Sequence, residues 1–421
     1  MKKLLIIALS FCILSVHSAT IPTSQDDVEL LKEAILIIKS SYVKANLNDR
    51  ELIHGAINGI VETLNDPYTN FLSSDEFKDL NDETSGQFGG VGIIVTLREQ
   101  KVTVISPIFG SPADQAGIRA GDLITEVNGQ PIKDGELKKA LQLLKGEIGE
   151  TVEIETFTPS DNKYRKSLLN REVVKNTSII FSGVTPDNFG YVRIRNFSAS
   201  TADDLEKEIK DMESVPIKGL ILDLRSNAGG LLTAGINVAD LFLESGTILS
   251  TRSRDGEKNV YMADAQISHK GYPMVVLIDR GSASAAEIVA AALHDNQKAI
   301  LVGEKSFGKG CVQTVKTLSD GSALSLTTAW YYTPAGECIH DKGINPDVLV
   351  ENPVFEDQKK VDEIVNTLRK EQEQSYQDRY QNKIHRFTPF EYDNQLLRAV
   401  DTLREFWKFQ PLYEKFTPAV H

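Results

Sequence analysis

The strongest constraint on the fold lies in residues 173–353, where short apolar runs alternate with helical stretches. The runs LILDL, MVVLI and AILVG are apolar almost throughout, and helices are expected near 232–243 and 284–294. Strands that are apolar on both faces are buried on both faces, and strands separated by helices usually pair in parallel. These residues are therefore predicted to form an α/β core around a mixed, largely parallel sheet that is covered on both sides.

Three further regions surround this core. Residues 25–65 carry apolar positions at helical spacing in two bursts, which predicts a helical hairpin. From Gly86, short β-type runs separated by Gly, Pro and Asn predict a compact β-module with one helix at 135–144. The C-terminal residues are charged, and the stretch 369–386 is expected to be a solvated helix or linker. The expected multidomain organisation is a signal segment at 1–18, a helical region at 19–85, the β-module at 86–158, the core at 159–355 and a helical region at 356–421.

The N-terminal segment has the pattern of a secretory signal. Lys2 and Lys3 precede an apolar run of about 13 residues, shorter than the roughly 20 that a permanent membrane-spanning helix needs. Val16 and Ser18 suit a cleavage site, so the mature chain is expected to start near Ala19. The protein is therefore predicted to be exported, to the bacterial periplasm or cell envelope. The alternative is that the segment stays uncleaved as an N-terminal anchor. Membrane association is expected only in that case.

Charge and cysteine content exclude several functions. The formal net charge of −13 repels phosphate backbones and no basic patch offsets it, so nucleic acid is not an expected partner. The 3 cysteines include no C-x-x-C pair, and no metal or cofactor is expected. Cys311 and Cys338 could still form a disulfide in an oxidising compartment.

Ser284 is the candidate nucleophile. It follows the run MVVLI and a turn at Gly281, and it begins an alanine-rich helix. Ser284-x-x-Glu287 also has the sequence of a capping box, in which the serine only satisfies free backbone amides. The catalytic alternative is an exposed serine at the sheet edge, with the Ala285 N–H and the helix dipole ready to receive negative charge.

Lys309 is the candidate general base. His294 lies about 15 Å from Ser284 along the same helix, and no other histidine has a recognisable triad context. A lysine can serve because burial favours a neutral amine. Glycines on both sides of Lys309 let neighbouring backbone come close, and Gln313 can orient a neutral amine from the same side of the strand. The alternatives are that Lys309 is a solvated strand lysine, or that Lys305, expected to be more exposed, competes with it.

The loop Asn227-Ala228-Gly229-Gly230 follows the run LILDL and is the third candidate element. Its glycine backbone could approach a ligand closely, so one of its N–H groups could join that of Ala285 as an oxyanion donor. An ordinary strand-to-helix loop is the alternative.

Several segments together resemble the carboxyl-terminal processing (tail-specific) serine peptidases. They are GSASAAEI at 281–288, FGKGCVQ at 307–313, DPYTNFL at 66–72, YYTPAGECI at 331–339 and KGINPDV at 342–348. The resemblance spans residues 25–353 and implies a crotonase- or ClpP-like peptidase core. The roles that it implies are nucleophile for Ser284, general base for Lys309, positioning of the lysine for Gln313, and oxyanion donation for the amides of Ala285 and Gly230.

The chain departs from the family pattern at three positions. Ala228 stands in place of a usual proline, Cys311 in place of a small hydroxyl residue, and Ala286 in place of a frequent serine. None of these changes removes a catalytic group.

The same resemblance identifies residues 86–158 as a PDZ domain, with SPADQAGIRAGDLITEVNGQPI at 111–132 matching the pattern. A β-domain used only for packing is the alternative. If it is a PDZ domain, the strand that follows the glycine-rich segment is expected to pair with an extended peptide. Five consecutive amides are expected to bind the terminal carboxylate of that peptide, namely those of Gly89, Gly90, Val91, Gly92 and Ile93.

The sequence thus predicts an exported serine endopeptidase that captures protein C-termini through its PDZ domain and cleaves through an acyl-enzyme on Ser284. Its expected partners are proteins or peptides with accessible C-termini, and homo-oligomers could form. The alternative is a catalytically silent binding protein that keeps this fold and binds peptides or small apolar ligands. The presence of Ser284, Lys309 and Gln313 together favours the enzyme.

Overall fold

A computed structural model describes residues 25–416, apart from 45, 109, 110, 120, 160, 176, 265–268, 270, 352–357 and 382. The expected signal segment at 1–18 lies outside the described residues. The chain divides into two compact units, Met1–Asn65 and Asp66–His421. Among the described residues, none of the helices combines the length and apolar character that crossing a membrane requires.

The first unit contains two helices, α1 (Gln25–Ser41) and α2 (Asp49–Glu62). Asn48 begins α2, because its side chain accepts the Arg50 N–H at 3.0 Å. Most apolar side chains of the described part of this unit are exposed, among them Val28, Leu30, Leu36, Ile37, Tyr42, Val43 and Ile60.

The second unit begins with β1 (Asn70–Leu72), α3 (Ser74–Ser85) and β2 (Gln87–Gly90) and continues into an antiparallel module. The elements of the module are β3 (Ile93–Arg98), β4 (Lys101–Pro107), α4 (Pro112–Gln115), β5 (Leu123–Val127), β6 (Gln130–Pro131), α5 (Leu137–Leu144), β7 (Thr151–Thr158) and β8 (Lys163–Asn170). The strand order is β3-β4-β5-β7-β8, with β6 against β5. Because β8 pairs with β7 along its whole length, this sheet continues to Asn170, past the expected boundary at residue 158.

The remaining elements build the core and the C-terminal region. In chain order they are β9 (Glu172–Lys175), β10 (Ile179–Val184), β11 (Phe189–Ile194), α6 (Thr201–Met212), β12 (Gly219–Asp223), α7 (Leu232–Asp240), β13 (Thr247–Ser253), β14 (Lys258–Met262), β15 (Met274–Ile278), α8 (Ala285–Asp295), β16 (Ala299–Gly303), β17 (Cys311–Thr317), β18 (Ala323–Tyr332), β19 (Val348–Leu349), α9 (Gln358–Tyr380) and α10 (Asn394–Phe416).

The central sheet has the order β10-β11-β12-β15-β16-β19 and is parallel except for the β10–β11 pair. The prediction of a mixed, largely parallel sheet is therefore confirmed. Along β12, Leu220 and Leu222 pack into the core cluster that contains α6, α7 and α8, while Ile221 packs into a second cluster with α10. This alternation follows from the two-residue period of a strand and covers both faces of the sheet.

The helix α10 covers the second face, a role that the sequence analysis did not assign to it. It supplies side chains at helical spacing, Leu396, Ala399, Val400 and Leu403, all of them buried. The expectation of a solvated stretch at 369–386 is wrong in part, because Ser375 and His385 are buried. The Ser375 hydroxyl donates to the carbonyl oxygen of Ser182 in β10 at 2.7 Å, so the end of α9 packs on the core.

A second, antiparallel sheet of β1-β18-β13-β14, with β17 also paired to β18, was not foreseen. It joins segments that are far apart in the sequence, since Asn70 of β1 pairs with Ser325 of β18. Local patterning does not reveal such pairings. Through β18, which pairs with both, the sheet joins β1 at the end of the segment 66–72 to β17, which follows Lys309.

Candidate active site

One large cleft in the second unit contains the predicted side chains. It has a volume of about 1100 Å³, and Ser284, Lys309, Gln313 and Gly230 all line it. The residues come from the ends of the neighbouring parallel strands β12 and β15 and from the loop and strand at β17. No histidine lines the cleft in the described part of the chain, so Ser284 has no histidine partner there.

The turn before α8 holds Ser284 in a strained conformation. Its φ of 55° and ψ of −117° are rarely adopted by residues with a Cβ atom. The hydroxyl of Ser282 fixes the turn, since it donates to the Leu224 carbonyl at 2.8 Å and accepts the Asp279 N–H at 2.9 Å. A sharp strand-to-helix turn that exposes a serine is typical of a nucleophile.

Two backbone N–H groups next to this turn, those of Ala285 and Gly230, have no hydrogen-bond partner among the described residues. The neighbouring Gly229 N–H differs, because it donates to Asn227 Oδ1 at 2.9 Å. The glycine loop lies directly against the turn, since a Cβ at Gly229 would be 2.7 Å from the Cβ of Ser284. Two free donors therefore lie on adjoining segments beside the serine.

The loop that carries Lys309 is built on close backbone contacts. A Cβ at Gly308 would be 2.7 Å from Gly343 N, and a Cβ at Gly310 would be 2.5 Å from His340 N. The prediction that the two flanking glycines let neighbouring backbone come close is thus confirmed.

The Lys309 side chain is half-buried, and its amine lies over Tyr68. The Nζ atom is 5.2 Å from the centroid of the Tyr68 ring, within the range of a cation–π contact. No hydrogen bond joins this amine to Ser284 or to Gln313 among the described residues. Lys305, the competing lysine, is exposed as expected.

Gln313 contacts Cys311 and not the lysine. Its Nε2 donates to the Cys311 sulfur at 2.9 Å, because side chains two residues apart on β17 share a face. Burial raises the pKa of the Cys311 thiol above its ordinary value, so the sulfur accepts this bond as a neutral thiol. Cys311 and Cys338 are both free cysteines.

Comparisons with known proteins decide the family. Residues 188–350 match the model of peptidase family S41, residues 103–156 that of the PDZ domain, and residues 14–76 that of the activating protease CtpB N-terminal domain. The chain is 40% identical over 331 residues to a carboxy-terminal-processing protease of Bartonella bacilliformis, covering 77% of this chain and 75% of that protein. It is 37% identical over 334 residues to the carboxy-terminal processing protease CtpA of Bacillus subtilis, covering 79% and 71%.

The chain belongs to the carboxy-terminal-processing serine peptidases of family S41. The resemblance seen in the sequence is therefore confirmed, and so is the PDZ domain. Among solved structures, a photosystem II D1 C-terminal processing protease is 32% identical, with a TM-score of 0.46, and the match covers 78% of this chain and 94% of that one.

The five residues expected to bind a carboxylate precede the matched PDZ residues 103–156, and they do not form a single loop. Gly89 and Gly90 belong to β2, which pairs with β9. The carbonyls of Val91 and Gly92 accept hydrogen bonds from within the domain, and Ile93 starts β3. None of the five lines the active-site cleft in the part of the chain that the structure describes.

Two buried residues to which the sequence analysis gave no catalytic role contact the backbone of both Ser284 and Lys309. Glu287 accepts the N–H of each, while the hydroxyl of Tyr331 donates to the carbonyl oxygen of Lys309 and lies 3.2 Å from that of Ser284. Glu287 had a detectable signal, since a charged residue in the apolar helix AAEIVAAAL is expected to be buried and paired. Tyr331 had none, because its partners come from distant parts of the chain.

A buried ion network braces the loop that carries Gly230. The carboxylate of Asp223, at the end of β12, accepts Nε of Arg225 at 2.9 Å, and Nη1 of Arg225 reaches Asp393 Oδ1, just before α10, at 2.7 Å. Burial alone raises the pKa of Asp223, but the guanidinium groups of Arg225 and Arg193 outweigh it and lower this pKa from 3.8 to about 2. The C-terminal region of the peptidase is therefore tied to the active-site loop.

This network predicts a specific acid sensitivity. Because the folded-state pKa of Asp223 lies below 3.8, its carboxylate stabilises the fold above about pH 4 and loses that contribution as the pH falls to about 2. We expect Asp223→Asn to lower the free energy of unfolding by about 2 kcal/mol at pH 7 and to flatten this acid dependence. Denaturant unfolding at several pH values measures both effects, with Asp255→Asn, at an exposed carboxylate, as the control. An acid dependence that is unchanged in Asp223→Asn contradicts the assignment.

Proposed function

We propose that this peptidase captures protein C-termini through its PDZ domain and cleaves the bound chain through an acyl-enzyme on Ser284. The observation that carries the proposal is the cleft that the strained Ser284, Lys309 and Gly230 line together, with no histidine among its described lining residues. The free N–H of Gly230 and that of Ala285, the residue after the serine, are the two donors. Each of the three parts supplies one requirement of acyl transfer, namely a nucleophile, a charge-stabilising site and a base.

The reaction has two halves. Ser284 Oγ attacks the scissile carbonyl carbon while its proton moves to the neutral amine of Lys309, and the N–H groups of Ala285 and Gly230 stabilise the oxyanion. The C–N bond then breaks as Lys309 returns the proton to the leaving amine. Water attacks the acyl ester, gives a proton to Lys309 and releases the new carboxyl end, and the proton returns to Ser284.

The lysine side chain has to move for this reaction. Its amine lies over the Tyr68 ring, and the Gln313 amide contacts Cys311. The four-carbon stem of lysine rotates easily, so the amine can leave the ring and reach Ser284 without a backbone change. Gln313 then positions the neutral amine after its own side chain turns away from the sulfur.

The PDZ domain offers an edge for an extended peptide. Among the described strands, β3 pairs only with β4, so one edge of β3 is open, and α5 packs against β3. A peptide can add to this edge through backbone hydrogen bonds, with its terminal carboxylate directed toward the amides of the Gly89–Ile93 segment. With a mature chain this acidic, capture relies on amides and apolar contacts more than on a basic surface.

The function is tested with an unstructured protein that ends in apolar residues, prepared with a free and with an amidated C-terminus. We expect the free tail to be cleaved at least about tenfold faster, because an amide lacks the charge that the backbone donors bind. A serine-reactive probe is expected to label Ser284 in the same preparation. A protein that binds the free tail but shows neither cleavage nor labelling is the silent binding protein, and equal cleavage of both tails contradicts capture by the PDZ domain.

Export, self-association and a crotonase- or ClpP-like fold of the core belong to the same proposal. The pattern of residues 1–18 supports export, which is tested by N-terminal sequencing of the protein recovered from the cell envelope. The exposed apolar side chains of α1 and α2 support homo-oligomers, because such surfaces are usually covered. The mass in solution, measured by sedimentation, tests that part.

A further inference from the structure

We propose that Glu287 and Tyr331 are positioning residues that together hold the backbones of Ser284 and Lys309 at a fixed separation. This inference rests on the proposed Ser–Lys function and adds to it the two groups that set its geometry. The catalytic roles predicted from the sequence fall on Ser284, Lys309 and Gln313, and none falls on Glu287 or Tyr331. Both act through other residues, since they contact the main chain of the pair and not its reacting atoms.

Glu287 receives the N–H groups on one side of the pair. Its carboxylate is completely buried, and Oε2 accepts the N–H of Ser284 and the N–H of Lys309, each at 2.9 Å. Oε1 accepts the Gly308 N–H at 2.7 Å and the Ser306 hydroxyl at 2.5 Å. One side chain on α8 therefore ties the turn of the nucleophile to the whole loop of the base.

The hydrogen-bond inventory fixes Glu287 as an ionised carboxylate. Three of its partners are N–H groups, which only donate. The fourth is the hydroxyl of Ser306, which accepts the Ile344 N–H at 2.7 Å and donates its own proton to Glu287 Oε1 at 2.5 Å. Burial raises the pKa of Glu287, and its four donors oppose that rise. A neutral carboxyl group would direct a proton at a donor, so the arrangement is complete only with the charge present.

Tyr331 holds the carbonyl groups of the same two residues. Its hydroxyl, on β18, donates to the carbonyl oxygen of Lys309 and lies 3.2 Å from the carbonyl oxygen of Ser284. The side chain is almost completely buried, and burial raises the pKa of the phenol well above its ordinary value, so it remains a donor. Tyr331 reaches the pair from the second sheet, whereas Glu287 reaches it from α8.

The two side chains thus contact the N–H and the carbonyl group of both Ser284 and Lys309. Ser284 needs such support because its positive φ is unfavourable, and a strained residue persists only where its surroundings hold it. No hydrogen bond between the side chains of Ser284 and Lys309 is present among the described residues to set their distance. The backbone has to set it. The Phe307 N–H donates to the Ser282 carbonyl oxygen at 3.0 Å and joins the two segments, and Glu287 and Tyr331 contact the backbones of Ser284 and Lys309 themselves.

The sharpest test is Tyr331→Phe, which removes a single buried oxygen. We expect kcat to fall about 10- to 100-fold while KM stays within about twofold, because a misplaced nucleophile and base impair chemistry more than binding. Labelling of Ser284 by a serine-reactive probe is expected to slow in parallel. The matched control is Tyr332→Phe at the next position of β18, which keeps the ring over which the Arg252 guanidinium lies and should leave kcat unchanged.

Glu287→Gln tests the other half of the arrangement. It keeps the shape of the side chain but replaces one carboxylate oxygen, which accepts hydrogen bonds, with an NH₂ group that faces the donors of the loop and the turn. We therefore expect a larger fall in kcat than in Tyr331→Phe. The double variant should lose less than the product of the two single losses, since both act on one separation. Full kcat in Tyr331→Phe, a loss confined to KM, or independent losses in the double variant would overturn the proposal. If Ser284→Ala is inactive while Tyr331→Phe is fully active, the positioning role fails and the Ser–Lys function stands.

Discussion

Ser284→Ala and Lys309→Ala are each expected to reduce the rate of peptide hydrolysis by about 10³-fold or more. Ser284→Ala removes the oxygen that is proposed to attack the scissile carbonyl group. Lys309→Ala removes the amine that is proposed to take the proton of the serine hydroxyl, and both side chains line the same cleft. Both variants keep the backbone N–H groups that Glu287 holds, so their folds should be intact. Because the two side chains act in one step, the double variant should be scarcely slower than either single one.

The matched control for the base is Lys305→Ala. Lys305 is the same type of residue and lies in the same loop but is exposed, so its removal should change the rate by less than about twofold. Steady-state hydrolysis of the free-tailed substrate gives the rates, and thermal unfolding confirms that each variant is folded. A Lys309→Ala variant that keeps its rate within tenfold of the native protein would rule out the lysine as the base.

Gly230→Ala is expected to lower kcat by about 10²- to 10³-fold, the usual effect of losing one oxyanion donor. A Cβ at this position would lie 2.1 Å from the carbonyl oxygen of Phe197, which is closer than atoms can approach. The φ of 146° adds strain for any residue with a side chain. The loop must therefore shift and carry the Gly230 N–H away from the site, while KM for the PDZ-bound tail should change little.

The control for this substitution is Gly55→Ala, at a helical glycine of α2 where a Cβ would meet no atom within 4 Å. It should leave the activity close to that of the native protein and raise the stability of α2 by up to about 1 kcal/mol, because alanine favours the helix more than glycine does. The diagnostic comparison is between kcat and the rate at which a serine-reactive probe labels Ser284. Native kcat in Gly230→Ala would show that this amide does not stabilise the oxyanion.

The central sheet was predictable because its signal is local. Its strands β12, β15 and β16 are apolar runs, and each is followed by a helix or a turn with its own residue pattern. The glycines around Lys309 were predictable for a similar reason, since glycine on both sides of one residue indicates close backbone contact. Three residues that line the cleft, Ser284, Lys309 and Gln313, could be named from two short motifs of seven or eight residues.

The features that were missed depend on pairing between distant segments. The second sheet joins residues near 70 to residues near 325, and α10 reaches the sheet from the C-terminal end of the chain. Glu287 had the sequence of a helix cap, and its contacts with the loop of Lys309 cross 22 residues. Gln313 was expected at the lysine, but its position on β17 brings its amide to Cys311 first.

The amino-acid sequence alone predicted the groups that are proposed as nucleophile, base and oxyanion donor, because such candidates follow from residue type and local turn pattern. It also established the family, because several motifs occur together in one order. Only the tertiary structure placed these groups relative to one another. That placement depends on a buried carboxylate and a buried hydroxyl whose partners are joined by long-range packing, and local residue patterns carry no information about such contacts.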